Sequence, residues 1–404
     1  MKITINKGAG HGTIKAPPSK SVAHRLLISA AMADGVSTVR GISMCEDVLA
    51  TLDCLCALGI KYTRCGNDVT VEGKPPRLMS PDAPLQCRES GSTLRFLLPI
   101  ALMTEGTAVF YGAAGLMTRP MSVYEKLFTE RGLTYISDGK SIVAKGPLAG
   151  GEFKVAGNVS SQFISGLLFA LPNATVDSRI RIIPPLESRS YIELTIDAIK
   201  SFGVEAKWED EYTLFIKGNQ AFRPTDVTVE GDYSGAAFPE ALNLLGSEVC
   251  VDGLRENSIQ GDRVYKKYYE MLKCGTPNIH IGDCPDLGPV LFAAAAALHG
   301  GIFTGTKRLE IKESDRAAAM AAELKKFGTS VSIYEDTVVI YPAEFHAPSE
   351  LLCGHNDHRI VMALSTLLTV TGGTIDGAEA VSKSYPTFFE DLASVGIEVI
   401  YHDT

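Results

Sequence analysis

Apolar residues along this chain gather into six short, almost unbroken runs, each opened by a small polar or charged cluster. The openings read PPSKSVAHR, ESGSTLR, NVSSQFISG, EGDYSGAAF, DCPDLGPV and HNDHRIVMA. Runs such as LLISAAMA, LLFAL and VLFAAAAAL are apolar on most of their surface, which predicts helices buried all round. A second kind of segment follows each run: an amphipathic helix that stops at Gly, then an extended pair. LDCLCALGIKYTRCGNDVTVEG, YEKLFTERGLTYISDGKSIVAKG and IDAIKSFGVEAKWEDEYTLFIKG are the first three copies. MAAELKKFGTSVSIYEDTVVIYP and FFEDLASVGIEVIYHDT are later ones, and YYEMLKCGTPNIHI is a shortened one. The Gly suits a left-handed helix C-cap. Asn67-Asp68 and Ser137-Asp138-Gly139 suit hairpin turns.

The polar helix starts fall near Ser21, Ser92, Ser161, Ser234, Asp286 and Asp357, about 71, 69, 73, 52 and 71 residues apart. That regularity marks an internal repeat. Each repeat predicts two helices and three or four short strands, an α/β (α+β) unit. Units this small cannot bury an apolar helix alone, so several must share a core. Three repeats per domain give two domains, which also suits 404 residues, too many for one ordinary core.

Composition narrows the function. A hydrophobic content of 45% with 21% charged residues is that of a soluble globular protein. The net charge of −9 argues against non-specific nucleic-acid binding, which needs a broad basic face. MKITINKG has no apolar core of a secretory signal, and PVLFAAAAALHGGIF falls short of a membrane span. Nine cysteines lie without a CxxC pair; Cys54 and Cys56 form only CxC with no His close by. Reduced thiols in a cytoplasmic, metal-free protein are the expectation.

Against this acidic background, cations collect at the helix openings: Lys20, Arg25, Arg95 and Arg359. A helix N-terminus offers unpaired N–H groups and a positive dipole end, so several with added cations suit more than one phosphate or carboxylate. Ser19 or Ser21 can cap the first helix, with Arg25 on the face of Ser21. No Gly-x4-Gly precedes Lys20-Ser21, which rejects a kinase phosphate loop; a capped helix with solvent-facing cations is the plainer reading. Ser160, Ser161 and Gln162 supply two hydroxyls and an amide for oxygen ligands. Ser188 and Tyr191, three apart, could share a helix face. Arg119 precedes Pro120 at an expected helix start, where a guanidinium can grip a carboxylate bidentately. Lys312, Glu313, Asp315 and Arg316 crowd one helix entrance, a pattern also found on plain surface helices. Arg359 stands at the mouth of a buried helix and should have an anionic partner or ligand. Asp286 opens another such helix as an N-cap or as a base in a cleft.

The ordered set PPSKSVAHR, GSTLR, TRP, SSQ, SRSY, PD, KESDR, NDHR and KSYP resembles the 5-enolpyruvylshikimate-3-phosphate synthase family over almost the whole chain. The resemblance implies the two-domain enolpyruvyl-transferase fold, each domain three βαβαββ repeats with pseudo-threefold symmetry around buried helices. It implies a discontinuous domain of residues 1–15 and 231–404, an inserted domain of residues 16–230, and an active site in the interdomain cleft. The hinge would lie near residues 14–18 and 228–233. The implied reaction moves the enolpyruvyl group of phosphoenolpyruvate to the 5-hydroxyl of shikimate 3-phosphate, with no metal or organic cofactor, in a cytoplasmic monomer. By resemblance, Lys20, Ser21, Arg25, Ser160, Ser161, Gln162, Ser188, Tyr191, Asp286 and Lys312 hold shikimate 3-phosphate. Phosphoenolpyruvate meets Lys20, Gly91, Arg119, Gln162, Arg316, Arg359 and Lys383. Asp286 is the expected base, with Glu313, Lys20 and Lys383 as the other proton carriers.

Three positions depart from the family pattern: Glu89-Ser90-Gly91-Ser92 stands where many relatives have Asn-Ala-Gly-Thr, Arg308 where some have Asn, and His24 where Asn is common. A sister family that acts on UDP-N-acetylglucosamine is similar in architecture. It normally carries a reactive Cys where this chain has Ala114, and Lys-Asn where this chain has Lys20-Ser21. A non-catalytic anion binder would need the cations but not Asp286 and Glu313.

Overall fold

Twelve of the thirteen α-helices alternate between two roles in the computed structural model, which describes residues 1–402; the other is the single turn Ala114–Met117. The odd-numbered ones are the apolar runs: α1 (Lys20–Met32), α3 (Gly91–Ala101), α5 (Ser161–Ala170), α7 (Tyr233–Ala241), α9 (Gly288–Ala297) and α11 (His358–Thr371). The even-numbered ones are amphipathic: α2 (Glu46–Ala57), α4 (Ser122–Glu130), α6 (Arg189–Ser201), α8 (Tyr265–Cys274), α10 (Arg316–Lys326) and α12 (Phe388–Ser394). Nine of the ten residues of α9 are buried, whereas α8 buries only Tyr265, Tyr269 and Leu272. Each large apolar side chain so buried contributes about 1.5–3 kcal/mol, which is why the all-apolar helices occupy the centre.

The chain divides into two compact units, Met1–Pro17 with Gly231–Thr404, and Pro18–Glu230. Ala16 and Pro17 go with the first because Ala16 N donates to Asp252 O and Pro17 O accepts from Asp232 N. In the second unit, Glu230 O accepts from Ser19 N.

The second unit holds three four-stranded sheets of one pattern. In the sheet of Glu152–Ala156, Ser178–Ile183, Thr213–Ile216 and Ala206–Asp210, the first two strands run parallel and the last two form an antiparallel hairpin. The parallel pair flanks α5, and the hairpin follows α6, so this is βαβαββ. In the first unit the pattern is complete for Asn278–His280, Gly301–Thr304, Thr337–Ile340 and Val331–Tyr334. A second sheet is closed by the N-terminal strand Lys2–Ile5, which lies between Gly373–Asp376 and Val399–His402. The shortened copy has no hairpin of its own: Glu248–Asp252 pairs only with His11–Lys15. Its helix end also differs. Gly59, Gly132, Gly203, Gly328 and Gly396 close the other amphipathic helices at φ between 71° and 90°, while Gly275 sits at 151°.

Both predicted turns shift by a residue; the second runs through Asp138, Gly139 and Lys140, because Ser137 ends the strand Thr134–Ser137. In the first, the strand Lys61–Cys65 is followed by Asp68–Gly73, so the hairpin turns through Gly66 and Asn67, with Gly66 at φ 60°. Asp68 is already in the strand, where its carboxylate accepts from Gly41 N.

Candidate active site

In the first unit, the starts of α7, α9 and α11 are tied together by polar bonds. Arg359, one residue into α11, donates to Ser234 Oγ in α7 at 2.6 Å and to Asp286 Oδ2 at 2.9 Å. Asp286 sits in the turn Pro285–Leu287 just before α9, and Leu287, not Asp286, occupies the N-cap position. The carboxylate is directed to cations instead of capping the helix. Its Oδ1 accepts from Arg316 Nη1 at 2.8 Å and from Lys312 Nζ at 3.2 Å.

Arg316 begins α10, which Asp315 caps by accepting from Ala318 N. Only 1% of Arg316 is exposed, and Asp357 and Glu313 also take its donors at 2.8 and 2.6 Å. Burial alone would disfavour its charge, but Asp357, Glu313 and Asp286 hold the guanidinium above its ordinary range. Asp357 is itself fully buried and caps α11 through Arg359 N. Lys383, the last residue of the short helical turn Ala378–Lys383, approaches the same helix start, donating to Asn356 O at 2.6 Å. Burial, with Arg308 and Arg316 adding to it and Asp286 opposing it, pushes the Lys312 ammonium down to about 8.

The second unit assembles a different set. Gln162 in the first turn of α5 donates to Ser92 Oγ at 2.8 Å and accepts from Arg95 Nη1 at 2.7 Å. Gly91 lies among them: a Cβ there would stand 3.0 Å from Arg95 Nη1, 3.2 Å from Arg119 Nη1 and 3.6 Å from Gln162 Oε1. Gly91, Arg119 and Gln162 are thus brought together, and the missing side chain keeps open the space between two guanidinium groups. Ser160 caps α5 and Ser161 is its first residue. Arg119 precedes the start of α4 by three residues, since Met121 is the N-cap.

Lys20 bonds Asp47 Oδ2 of α2 at 2.7 Å. Arg25 is no solvent-facing cation. It is 2% exposed, with donors on Ser21 O, Tyr191 O and Thr195 Oγ1, and burial pushes its guanidinium down to about 10. Ser188 and Tyr191 do not share a helix face, because Ser188 is the N-cap of α6 in a left-handed conformation, φ 57°. They meet at the helix start instead, where Tyr191 N donates to Ser188 O. Behind Lys20, a buried chain runs from His24 Nδ1 through Thr51 and Thr93 to Ser90, each step 2.7 Å. Burial, with Lys20 and Arg25 nearby, keeps His24 well below its ordinary value, so the imidazole in this chain is neutral.

Sequence reasoning left Asp357 and Asp47 out of the site, and counted Arg95 among the cations of the helix openings without giving it a ligand. Asp357 and Arg95 had a signal, since both stand in the polar openings of buried helices. Asp47 had none beyond its place in the first turn of an amphipathic helix. Among the described residues no group of three or more His, Cys, Asp or Glu side chains is arranged to hold a metal, and no helix is long and apolar enough to cross a membrane.

Known proteins share both the sequence and the fold. The chain is 38% identical to the 3-phosphoshikimate 1-carboxyvinyltransferase of Clostridium kluyveri, covering 98% of each. It is 40% identical to the enzyme of the same name from Clostridium acetobutylicum, again over 98% of each. A solved structure of EPSP synthase from Acinetobacter baumannii superposes with a TM-score of 0.79 at 25% identity, covering 99% of this chain and 100% of that one. With the family model for EPSP synthase (3-phosphoshikimate 1-carboxyvinyltransferase) matching residues 6–392 as well, the chain belongs to the EPSP synthase family.

Proposed function

We propose that this chain transfers the enolpyruvyl group of phosphoenolpyruvate to the 5-hydroxyl of shikimate 3-phosphate, releasing phosphate. The observation that carries the reading is the Asp286 carboxylate held by Lys312, Arg316 and Arg359 where three buried helices begin. In a mere anion binder such a carboxylate would serve only to offset repulsion among the cations. A transferase needs one near the hydroxyl it deprotonates.

The chemistry runs through a tetrahedral adduct. The 5-hydroxyl oxygen bonds to C2 of phosphoenolpyruvate as its proton passes to Asp286, and the methylene C3 gains a proton to become methyl. In the second half the methyl group gives up a proton, the C2–C3 double bond re-forms, and the C2–O bond to phosphate breaks. Glu313, Lys20 and Lys383 are the other proton carriers. Arg119, Arg316 and Arg359 hold the carboxylate and phosphate of phosphoenolpyruvate with Lys20, Gly91 and Gln162, and balance charge on the leaving phosphate. Ser21, Arg25, Ser160, Ser161, Ser188, Tyr191 and Lys312 join Lys20, Gln162 and Asp286 around shikimate 3-phosphate. The enzyme works as a monomer in the cytoplasm.

The test is phosphate release from phosphoenolpyruvate with either shikimate 3-phosphate or UDP-N-acetylglucosamine, for the wild type and Asp286→Ala. Release with shikimate 3-phosphate alone, strongly reduced in the variant, supports the reading. Release only with the nucleotide sugar, or tight binding without release, overturns it.

A further inference from the structure

Outside the groups assigned above lies a second polar cluster, on the far half of α10. Glu323 is only 2% exposed, yet its carboxylate accepts three hydrogen bonds. Oε1 lies 2.9 Å from His355 Nε2; Oε2 accepts from Lys326 Nζ at 2.8 Å and from Cys353 N at 2.9 Å. Lys326 also donates to Leu351 O. A buried carboxylate is retained only where its lone pairs are satisfied, and here two of its three donors belong to one short turn.

That turn is unusual. His355 and Asn356 are consecutive non-glycine residues in the left-handed region, at φ 50° and 51°. Such conformations persist only where surrounding bonds over-determine them. Glu323 grips the turn on both sides of Gly354, a position where a Cβ would stand 2.6 Å from Val361 Cγ2. Gly354 N donates to Asp376 O, and Gly354 O accepts from Asp357 N, which fixes the remaining end. What the turn delivers is functional: the Asn356 carbonyl receives Lys383 Nζ, and the next residue, Asp357, holds Arg316 and caps α11.

We propose that Glu323 and His355 are positioning residues for the transfer reaction, a hydrogen-bonded brace that holds the left-handed turn 355–356 so that its carbonyl places Lys383 and its following carboxylate places Arg316. This rests on the proposed function for the roles of Lys383 and Arg316. The brace touches neither substrate; it acts through the turn. Two contacts therefore join α10 to the start of α11. One, Arg316 to Asp357, lies within the candidate site, and the other, Glu323 to His355 and Cys353, lies two helical turns along.

Three variants separate this role from general stability. His355→Asn keeps a residue that tolerates the left-handed region but is too short to reach Glu323. Glu323→Ala removes the brace, and Glu323→Gln preserves its shape and its acceptor for Cys353 N. In the phosphate-release assay, His355→Asn and Glu323→Ala are expected to lower kcat/KM for phosphoenolpyruvate about tenfold or more, the effect of losing one charge-assisted bond. KM for shikimate 3-phosphate should stay within about twofold, and Glu323→Gln should recover most of the rate. A loss of stability alone would lower the melting temperature and the active fraction without this split between substrates. Wild-type kinetics in His355→Asn, or a Glu323→Gln variant as impaired as Glu323→Ala, overturns the proposal.

A second measurement does not depend on turnover. Hydrogen exchange followed by mass spectrometry in the His355→Asn protein should show faster exchange in both segments 353–359 and 378–385. Loss of protection in the first with none in the second would mean that the turn does not hold Lys383. If the wild type itself fails to release phosphate, the functional reading falls, and the exchange experiment still decides the brace.

Discussion

Lys312 offers a titration that the reaction should feel. Its ammonium falls from an ordinary 10.5 to about 8, first because it is buried and then because Arg308 and Arg316 crowd it. The fall corresponds to about 3 kcal/mol between the two protonation states. About nine in ten molecules then carry the charge at pH 7, and about one in ten at pH 9. If the charged form is the one that holds the phosphate of shikimate 3-phosphate, the apparent Kd should weaken about tenfold between pH 7 and pH 9. The same linkage requires proton uptake on binding near pH 8, about half a proton per site, because the bound dianion draws Lys312 back to its charged form.

Titration calorimetry from pH 6.5 to 9.5, in buffers of differing ionisation enthalpy, reads both quantities. Lys312→Arg keeps a cation that does not deprotonate in this range, so its Kd should be flat where the wild type rises. Stability carries the opposite sign. Because the native pKa lies below the unfolded one, the unfolded chain holds an extra proton between pH 8 and 10.5. This group therefore adds stability as pH climbs through that window and withholds it below pH 8. A flat wild-type Kd, or the same rise in Lys312→Arg, would refute the reasoning.

Other outcomes follow from the same geometry. Asp286→Asn keeps the shape but not the charge facing Lys312, Arg316 and Arg359, and should cost about 10²–10⁴ in kcat, measured by phosphate release. A loss under tenfold would remove Asp286 from the role of base. Gly91→Ala puts a methyl 3.0 Å from Arg95 Nη1 and 3.2 Å from Arg119 Nη1 without backbone strain, so KM for phosphoenolpyruvate should rise several-fold while that for shikimate 3-phosphate stays unchanged. Asp357→Ala leaves the fully buried Arg316 without its fully buried acceptor and uncaps α11. Chemical denaturation should show a loss of about 3–5 kcal/mol, and a loss under 1 kcal/mol would contradict the burial argument.

The repeat was readable because it rests on two local rules, apolar runs for buried helices and a glycine for each helix end. Both survive any tertiary arrangement. What failed was geometry finer than one residue. The Gly66–Asn67 turn and the left-handed cap at Ser188 depend on how flanking strands and helices meet, which spacing does not record. The cations of the candidate site were legible from the polar openings, but the partners that hold them were not. Asp47 and Glu323 lie on amphipathic helices, where a carboxylate reads as solvent-facing; only the folded chain brings one against Lys20 and buries the other under a turn. Arg25 is the converse case: at a helix start it reads as a surface cation, yet Thr195 and the Tyr191 carbonyl draw it inside.

These pairings also explain how so many cations can sit close together in a folded protein. Arg316, Arg359 and Lys312 share Asp286, and Arg316 has Glu313 and Asp357 besides. Positive groups this close would repel strongly in a partly buried place; interleaved carboxylates offset that repulsion before any substrate arrives. The arrangement has a chemical consequence. On the proposed function, an incoming phosphate or carboxylate would compete with Asp286 for the same donors and loosen the carboxylate from its cations as the hydroxyl comes near. Asp357 is different, being fully buried and committed to a helix cap, so it cannot be displaced. On that proposal, one carboxylate of the network would exchange partners during the reaction while the other keeps Arg316 where it is. That division of labour is why losing Asp286 should cost rate and losing Asp357 should cost stability.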